Sequence, residues 1–125
     1  MLLNDLYTIN RVFSKPLETQ VQIDASLTID PAHKIFQGHF PGRPVMPGVC
    51  MLQIVKEIAE HQLAKKLLLT TAASLKFLAV FDPRNNTELS AEIRFKPNLT
   101  GIELEGKLYH PDTTFFKIKA VFDYV

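Results

Sequence analysis

Residues 38–55 decide the fold of this chain, and they read GHFPGRPVMPGVCMLQIV. The first eleven of them contain three prolines and three of the chain's five glycines. Such a segment is too stiff for a linker, and prolines cannot donate the backbone hydrogen bonds of a strand. It leads directly into a run of apolar residues. The pattern predicts a loop that presents one histidine, His39, and then starts a helix at Pro47-Gly48.

The residues after this loop predict a long helix from Val49 to about Lys66. At about 100° per residue, five apolar side chains fall on one face: Val49, Leu52, Val55, Ala59 and Leu63. Other apolar residues extend this surface almost completely round the first two turns, where Gln53 is the only polar residue. Farther along, Glu57 and Glu60 are predicted to lie on a solvated face. A helix that begins apolar on nearly all sides is most simply wrapped by a curved sheet.

Alternating apolar and polar residues predict strands on both sides of this helix. Residues 21–29 alternate cleanly, and residues 6–13 are rich in strand formers before a turn at 14–16. Four further strands are predicted after the helix, at 72–81, 88–96, 102–108 and 115–124. This order contains no second strand–helix unit, so a parallel doubly wound sheet is not expected. The sequence predicts an α+β fold in which one antiparallel sheet curls around one long helix, as a single domain over residues 1–125.

Composition excludes several classes of function. The chain has 14 basic and 13 acidic residues, so nothing favours nucleic acid or a membrane surface as the main partner. The lone cysteine, Cys50, excludes an internal disulfide and fits a reducing compartment. Residues 1–6 lack the basic region of a signal peptide, and no apolar run reaches the roughly 18 residues of a spanning helix. We therefore expect a cytoplasmic protein.

His39 is the first candidate for chemistry. A histidine with an unperturbed pKa of about 6.5 can be neutral at cellular pH and accept a proton. The prolines around it restrict where its ring can point. A structural histidine bonded to backbone is the alternative, and the residue type alone does not decide between the two roles.

Gln53 and Gly48 are the next candidates. A buried amide such as Gln53 must be hydrogen-bonded, either to core backbone groups or within the cavity that His39 faces. The first N–H groups of a helix have no intrahelical partner and carry partial positive charge. Because Gly48 has no side chain, a ligand carbonyl can approach its N–H closely, which would form an oxyanion site. A plain helix start is the alternative for Gly48.

Metal and cofactor sites are not predicted. The four histidines show no close ligand spacing, and Cys50 has no partner cysteine. Cys50 is better explained as a small core residue than as a nucleophile. The glycines also lack the Gly-Lys-Ser/Thr ending of a phosphate-binding loop.

The segment Gly38 to Val49 resembles the signature of the β-hydroxyacyl-[acyl carrier protein] dehydratases, and the order of elements fits from about Leu6 to Val125. The resemblance implies a hotdog fold, in which an antiparallel sheet wraps a central helix. It implies that His39 removes the proton from C2 of an acyl thioester. It also implies that the Gly48 N–H binds the thioester carbonyl.

The family's second catalytic residue is a Glu or Asp fourteen positions after the histidine, and here that position is Gln53. A carboxylic acid can donate a proton to the leaving hydroxyl, whereas an amide can only hydrogen-bond. Gln53 would then hold the hydroxyl or a water while His39 carries the proton, or Glu57 would substitute as the acid. We expect a dehydratase that forms trans-2-enoyl thioesters for fatty-acid or aryl-polyene synthesis. A thioesterase and a non-catalytic acyl binder are the alternatives.

The resemblance also implies the partners. Its active site lies between two subunits, so a homodimer or higher oligomer is expected, with an acyl carrier protein delivering the substrate. An apolar tunnel would be lined partly by Phe40, Met46, Val49 and Phe77. Arg43 would contact the carrier's phosphate or acidic surface, or it is a solvated loop residue.

Overall fold

A computed structural model describes residues 1–38 and 42–125 of the chain. Six strands and two helices follow in chain order: β1 Tyr7–Leu17, β2 Gln20–Ile29, α1 Ile35–Gly38, α2 Gly48–Leu63, β3 Leu67–Phe77, β4 Glu88–Pro97, β5 Gly101–His110 and β6 Thr113–Tyr124. The strands form one antiparallel sheet in the order β1-β2-β4-β5-β6-β3. This confirms the predicted hotdog architecture of one sheet and one long helix.

The inner face of the sheet and one side of α2 form the core. Alternate residues of β2 and β4 point inward and pair across the strands, as Ile23 does with Ile93. Ile54 and Ile58 of α2 are fully buried in the same cluster. Burying each such side chain contributes about 1.5–3 kcal/mol, so this layer holds α2 against the sheet. Neither helix in residues 1–38 and 42–125 combines the length and apolar character needed to cross a membrane.

The predicted turn at residues 14–16 was wrong. β1 continues through these residues to Leu17, and the chain reverses at Glu18, whose φ is 39°. Proline is tolerated here because β1 lies at an edge of the sheet, where a missing N–H breaks no ladder on the open side.

The boundary between α2 and β3 also differs from the prediction. The helix ends at Leu63 rather than near Lys66, because Ala64 takes a left-handed conformation with φ 54°. β3 then runs over Leu67–Phe77 instead of 72–81. A continuous apolar run carries no periodicity that separates the end of a helix from the start of a strand.

The helix face predicted from Val49 to Leu63 is only partly correct. Val55 and Ala59 are buried, but Val49 is 71% exposed in the single chain. Glu57, predicted to be solvated, is only 2% exposed. The sheet covers one side of α2, and the N-terminal segment, rather than solvent, covers Glu57.

Candidate active site

The candidate site begins where α2 begins. Gly48 is the first helical residue, and Pro47 before it has extended backbone with no side-chain cap. The Cys50 N–H donates to the Pro47 carbonyl at 3.0 Å. Within the described part of the chain, the N–H groups of Gly48 and Val49 have no acceptor. Two donors at the positive end of the helix dipole are therefore available to a carbonyl or oxyanion.

The Phe77 ring at the end of β3 covers Gly48. A Cβ added to Gly48 would lie 2.5 Å from the Cε1 atom of Phe77, so no larger residue fits without moving the ring. The absence of a side chain lets the ring pack directly on the helix start. Phe77 thus forms an apolar wall beside the two available N–H groups.

Further aromatic residues extend this wall. Phe77 stacks on Phe116 with ring centroids 5.1 Å apart, and Phe81 meets Phe115 edge to face at 5.3 Å. The Met46 N–H donates to the Phe81 carbonyl at 2.9 Å, which ties the loop before α2 to this cluster. Met46 is buried in the core cluster, and its predicted role in lining a tunnel stays a prediction.

Several apolar side chains near the start of α2 lie in solvent in the single chain. Val49, Phe77, Leu78 and Val80 are 71%, 54%, 54% and 65% exposed. Arg43 is also exposed. We call the four apolar residues the open apolar edge. Because clustered exposed apolar side chains are a feature of interaction surfaces, this edge is a candidate interface.

Gln53 donates from Nε2 to Oε2 of Glu57 at 2.7 Å. The two residues lie one turn apart on α2, at the i and i+4 spacing that lets side chains meet. Gln53 is half-buried. It lies five residues beyond Gly48, about 7.5 Å along the helix axis.

Glu57 accepts hydrogen bonds from the N-terminal segment as well. The Leu2 N–H donates at 2.8 Å to Oε2, and the Leu3 N–H donates at 2.8 Å to Oε1. The Tyr7 hydroxyl donates to Oε1 at 3.0 Å. The carboxylate thus ties the start of the chain to the middle of the helix.

These contacts set the ionisation of Glu57 and Tyr7. Burial alone would raise the pKa of Glu57, but the hydrogen bonds from Gln53, Leu2, Tyr7 and Leu3 outweigh it and lower the pKa below its ordinary value. Burial and the neighbouring carboxylate raise the pKa of Tyr7. Glu57 therefore favours its ionised form, which accepts hydrogen bonds and has no proton to give, and this argues against the alternative that Glu57 substitutes for an acid at position 53.

The structure brings together some of the predicted site residues and leaves others outside its description. Gly48, Val49 and Phe77 are adjacent, and Met46 joins them through Phe81. His39 and Phe40 lie outside the described residues. Sequence reasoning missed the part played by Glu57 and Tyr7. The i,i+4 spacing of Gln53 and Glu57 was a usable signal, but the donors at residues 2, 3 and 7 are remote in sequence.

Comparison with known proteins gives a consistent family assignment. Residues 15–105 match the family described as ApeI-like, ApeI dehydratase. A 3-hydroxyacyl-[acyl-carrier-protein] dehydratase, FabZ, from Rickettsia rickettsii is 33% identical over 91 residues. That alignment covers 57% of this chain, and the chain spans only 63% of the relative's length.

Solved structures agree on the fold. A protein of unassigned function from Erwinia carotovora superposes with a TM-score of 0.78 at 23% identity, over 96% of this chain and 98% of that one. The ApeI:P dehydratase heterocomplex from Xenorhabdus doucetiae gives 0.62 at 20% identity, over 92% and 96%. A candidate thioesterase from Lactococcus lactis gives 0.66 at 12% identity, over 94% and 91%. At these identities the likeness shows the fold alone.

Proposed function

Because the chain belongs to the ApeI-like dehydratase family, we propose that it removes water from 3-hydroxyacyl thioesters held on an acyl carrier protein. The product would be the trans-2-enoyl thioester, in fatty-acid or polyene synthesis. The observation that carries this proposal is the pair of available N–H groups at Gly48 and Val49 beside the Phe77 wall. They offer a thioester carbonyl a polar anchor next to an apolar surface.

His39 is the proposed base. Its neutral imidazole would take the proton from C2 of the substrate, and the electrons of that bond would move onto the thioester carbonyl oxygen. The N–H of Gly48, at the positive end of α2, would stabilise the resulting enolate. Collapse of the enolate would form the C2–C3 double bond and break the C3–O bond.

The leaving hydroxyl needs one proton to depart as water. Gln53 has no acidic proton to give, and Glu57 is held as an ionised acceptor. In the simplest balanced route, the imidazolium formed at His39 returns its proton to the leaving oxygen while Gln53 holds the hydroxyl in place. No other proton donor is then required, and histidine ends the cycle neutral.

We propose that a second subunit completes the site. β3 is an edge strand, and the open apolar edge lies beside it, so another hotdog subunit would cover both. A second copy of this chain is the occupant we favour. The Xenorhabdus relative was solved as a heterocomplex, so a different subunit that brings an acid is the alternative.

Cys50 is buried, and burial raises the pKa of its thiol. A free, buried thiol of this kind is compatible with the proposed location in the reducing cytoplasm.

A basic row on the outer face of the sheet supports a carrier protein as the delivering partner. Lys76, Lys117 and Lys107 stand side by side on β3, β6 and β5. Lys107 pairs with Glu92 at 3.5 Å, whereas Lys76 and Lys117 have no ion pair within the described residues. Like charges placed directly opposite destabilise a sheet, so an acidic partner would relieve their repulsion. Lys76 directly precedes Phe77 in β3, and their side chains point to opposite faces of the sheet.

The experiment that tests this function follows two products at once. The chain is incubated with 3-hydroxyacyl thioesters of pantetheine and of acyl carrier protein over a range of chain lengths. Ultraviolet absorbance reports the conjugated enoyl thioester, and a thiol reagent reports hydrolysis. Enoyl product without thiol release supports dehydration. Thiol release without enoyl product would make the chain a thioesterase, and neither signal would leave it an acyl binder.

A further inference from the structure

The bond between Gln53 and Glu57 fixes which way the Gln53 amide faces. A carboxylate has only acceptor atoms, so it can pair only with the Nε2 end of the amide. The 2.7 Å contact therefore assigns Nε2 to the Glu57 side and turns Oε1 away from it. Within residues 1–38 and 42–125, this is the only side-chain hydrogen bond of Gln53, and no buried polar atom there lacks a partner. Oε1 is therefore an accessible acceptor.

Glu57 is rigid enough to impose this orientation. Backbone donors hold both of its oxygens, the Leu2 N–H on Oε2 and the Leu3 N–H on Oε1. Donors from two directions prevent the carboxylate from rotating about its last bond. Glu57 is 2% exposed, so water does not compete for it.

The amide lies on the part of α2 that leads to the helix start. Val49, Gln53 and Glu57 are spaced four residues apart and therefore share one side of the helix. Side-chain exposure falls along these three residues: Val49 is exposed, Gln53 is half-buried and Glu57 is buried. The Gln53 side chain, with its free Oε1, thus lies on α2 between the buried Glu57 and the helix start at Gly48.

We propose that Glu57 is a positioning residue that holds the Gln53 amide so that its Oε1 accepts a hydrogen bond from the 3-hydroxyl of the substrate. This inference rests on the proposed dehydration. A hydroxyl that donates its hydrogen to Oε1 keeps its lone pairs free to accept the proton of the imidazolium proposed at His39. Position 53 then works by orienting the leaving oxygen rather than by supplying a proton. Where the resemblance implies an acid, this chain thus has the Gln53 amide, which Glu57 orients as a hydrogen-bond acceptor.

Two matched variants separate positioning from mere stability. In Glu57→Gln, the new side-chain NH2 group would face the NH2 group of Gln53, and two donors cannot pair. The Gln53 amide would then have to turn over, so that its Oε1 faces residue 57 instead of the substrate. In Tyr7→Phe, Glu57 loses a different donor but keeps its bond to Gln53. Tyr7→Phe loses one buried hydrogen bond, and Glu57→Gln loses the two that end on Oε2, from Gln53 and from the Leu2 N–H. We expect kcat to fall on the order of tenfold to a hundredfold in Glu57→Gln and to stay within about twofold of wild type in Tyr7→Phe, with KM little changed in both.

A reciprocal exchange provides the rescue. In Gln53→Glu combined with Glu57→Gln, the amide at 57 keeps an oxygen for the Leu3 and Tyr7 donors and offers its N–H to the carboxylate at 53. An acceptor then stands again at position 53, so kcat should recover at least tenfold over Glu57→Gln alone, without the basic limb in its pH profile that a general acid at 53 would add. Equal losses of kcat in Glu57→Gln and Tyr7→Phe, or an exchange variant as slow as Glu57→Gln, would overturn the inference.

A measurement without substrate keeps this inference distinct from the proposed function. The side-chain amide protons of Gln53 are observed by nuclear magnetic resonance in the wild type and both single variants. A carboxylate-bound proton should exchange slowly and resonate downfield in wild type and Tyr7→Phe but not in Glu57→Gln. The same Gln53 signals in all three proteins would overturn the inference even in an active enzyme. An inactive wild type that keeps the downfield proton would instead mean that the proposed function has failed.

Discussion

The Gln53 Nε2 atom and the Glu57 Oε2 atom lie 2.7 Å apart, joined by a hydrogen bond along one side of α2. This bond joins an amide, at the position where the resemblance implies an acid, to a carboxylate that also accepts hydrogen bonds from residues 2, 3 and 7. Neither partner can release a proton readily. Proton transfer in the proposed dehydration is therefore assigned to His39, and the pair has an orienting role.

The stability of the fold should fall in acid because of Glu57. Its pKa is lowered in the folded state, so the unfolded chain binds a proton first as the pH drops. The contribution is fully present above the ordinary glutamate pKa of about 4.3 and is lost as the pH falls through the lower folded value. Glu57→Gln should cost about 1–3 kcal/mol at neutral pH and flatten this acid limb. Denaturant unfolding at a series of pH values measures both effects.

Other titratable groups near Glu57 do not affect the comparison of wild type with Glu57→Gln. Tyr7 stays neutral throughout the acid range, because the ordinary tyrosine pKa of 10.0 already lies far above it and burial raises the pKa of Tyr7 further. Glu60, on the same helix, is present in both proteins. The difference between wild type and Glu57→Gln therefore isolates the one carboxylate. Parallel pH profiles for the two proteins would contradict the prediction.

Gly48 and Phe77 should be energetically coupled. A Cβ at residue 48 would lie 2.5 Å from the Phe77 ring, so Gly48→Ala should cost about 1–3 kcal/mol through overpacking. In a Phe77→Ala background the ring is gone, and the same change should cost much less. Urea unfolding of the four proteins in this double-mutant cycle measures the coupling. Costs that simply add would show that the ring does not lie on Gly48.

Much of this architecture was readable from the sequence, because alternation and turn residues are local signals. Residues 21–29 predicted β2 within one residue, and Pro47-Gly48 predicted the start of α2. What failed was set by distant parts of the chain. Pro16 was read as a turn because the position of β1 at the sheet edge depends on the whole topology.

The same reason explains the errors in the candidate site. Glu57 looked solvated because its cover comes from residues about fifty positions earlier in the chain. Val49 looked buried because its pattern is apolar, but in the part of the chain that the structure describes it is 71% exposed. Local periodicity indicates which side chains will be covered, but it does not show which part of the protein covers them. The placement of Gly48 needed only the helix start, so it was predictable.

The open apolar edge should be a subunit interface. Val80→Glu places a charge on this surface and should shift the protein toward monomer, with loss of the proposed dehydration if a partner subunit completes the site as proposed. Leu99→Glu is the matched control, since Leu99 is fully exposed in the turn between β4 and β5. Sedimentation velocity over a range of concentrations gives the oligomeric state. Equal behaviour of Val80→Glu and the control would contradict the prediction.

The basic row should matter only when a carrier protein delivers the substrate. Lys76→Glu combined with Lys117→Glu should raise the KM for a carrier-linked substrate about tenfold and leave the KM for the pantetheine thioester unchanged. Added salt should narrow the difference between wild type and variant, because exposed charges are screened. Lys15→Glu on β1, at the other edge of the sheet, is the control. A rise in KM for both substrates would mean that the lysines support the fold or the site rather than the carrier.

The assignment of His39 as the base is the central claim, and one assay tests it most directly. Formation of the enoyl thioester from a 3-hydroxyacyl carrier thioester is compared in wild type, His39→Ala and His61→Ala. His61 is exposed on α2 and serves as a histidine of no proposed role. We predict that wild type and His61→Ala form the enoyl thioester at similar rates. His39→Ala should be slower by a factor on the order of 10²–10⁴. Undiminished enoyl formation in a folded His39→Ala protein would contradict the account.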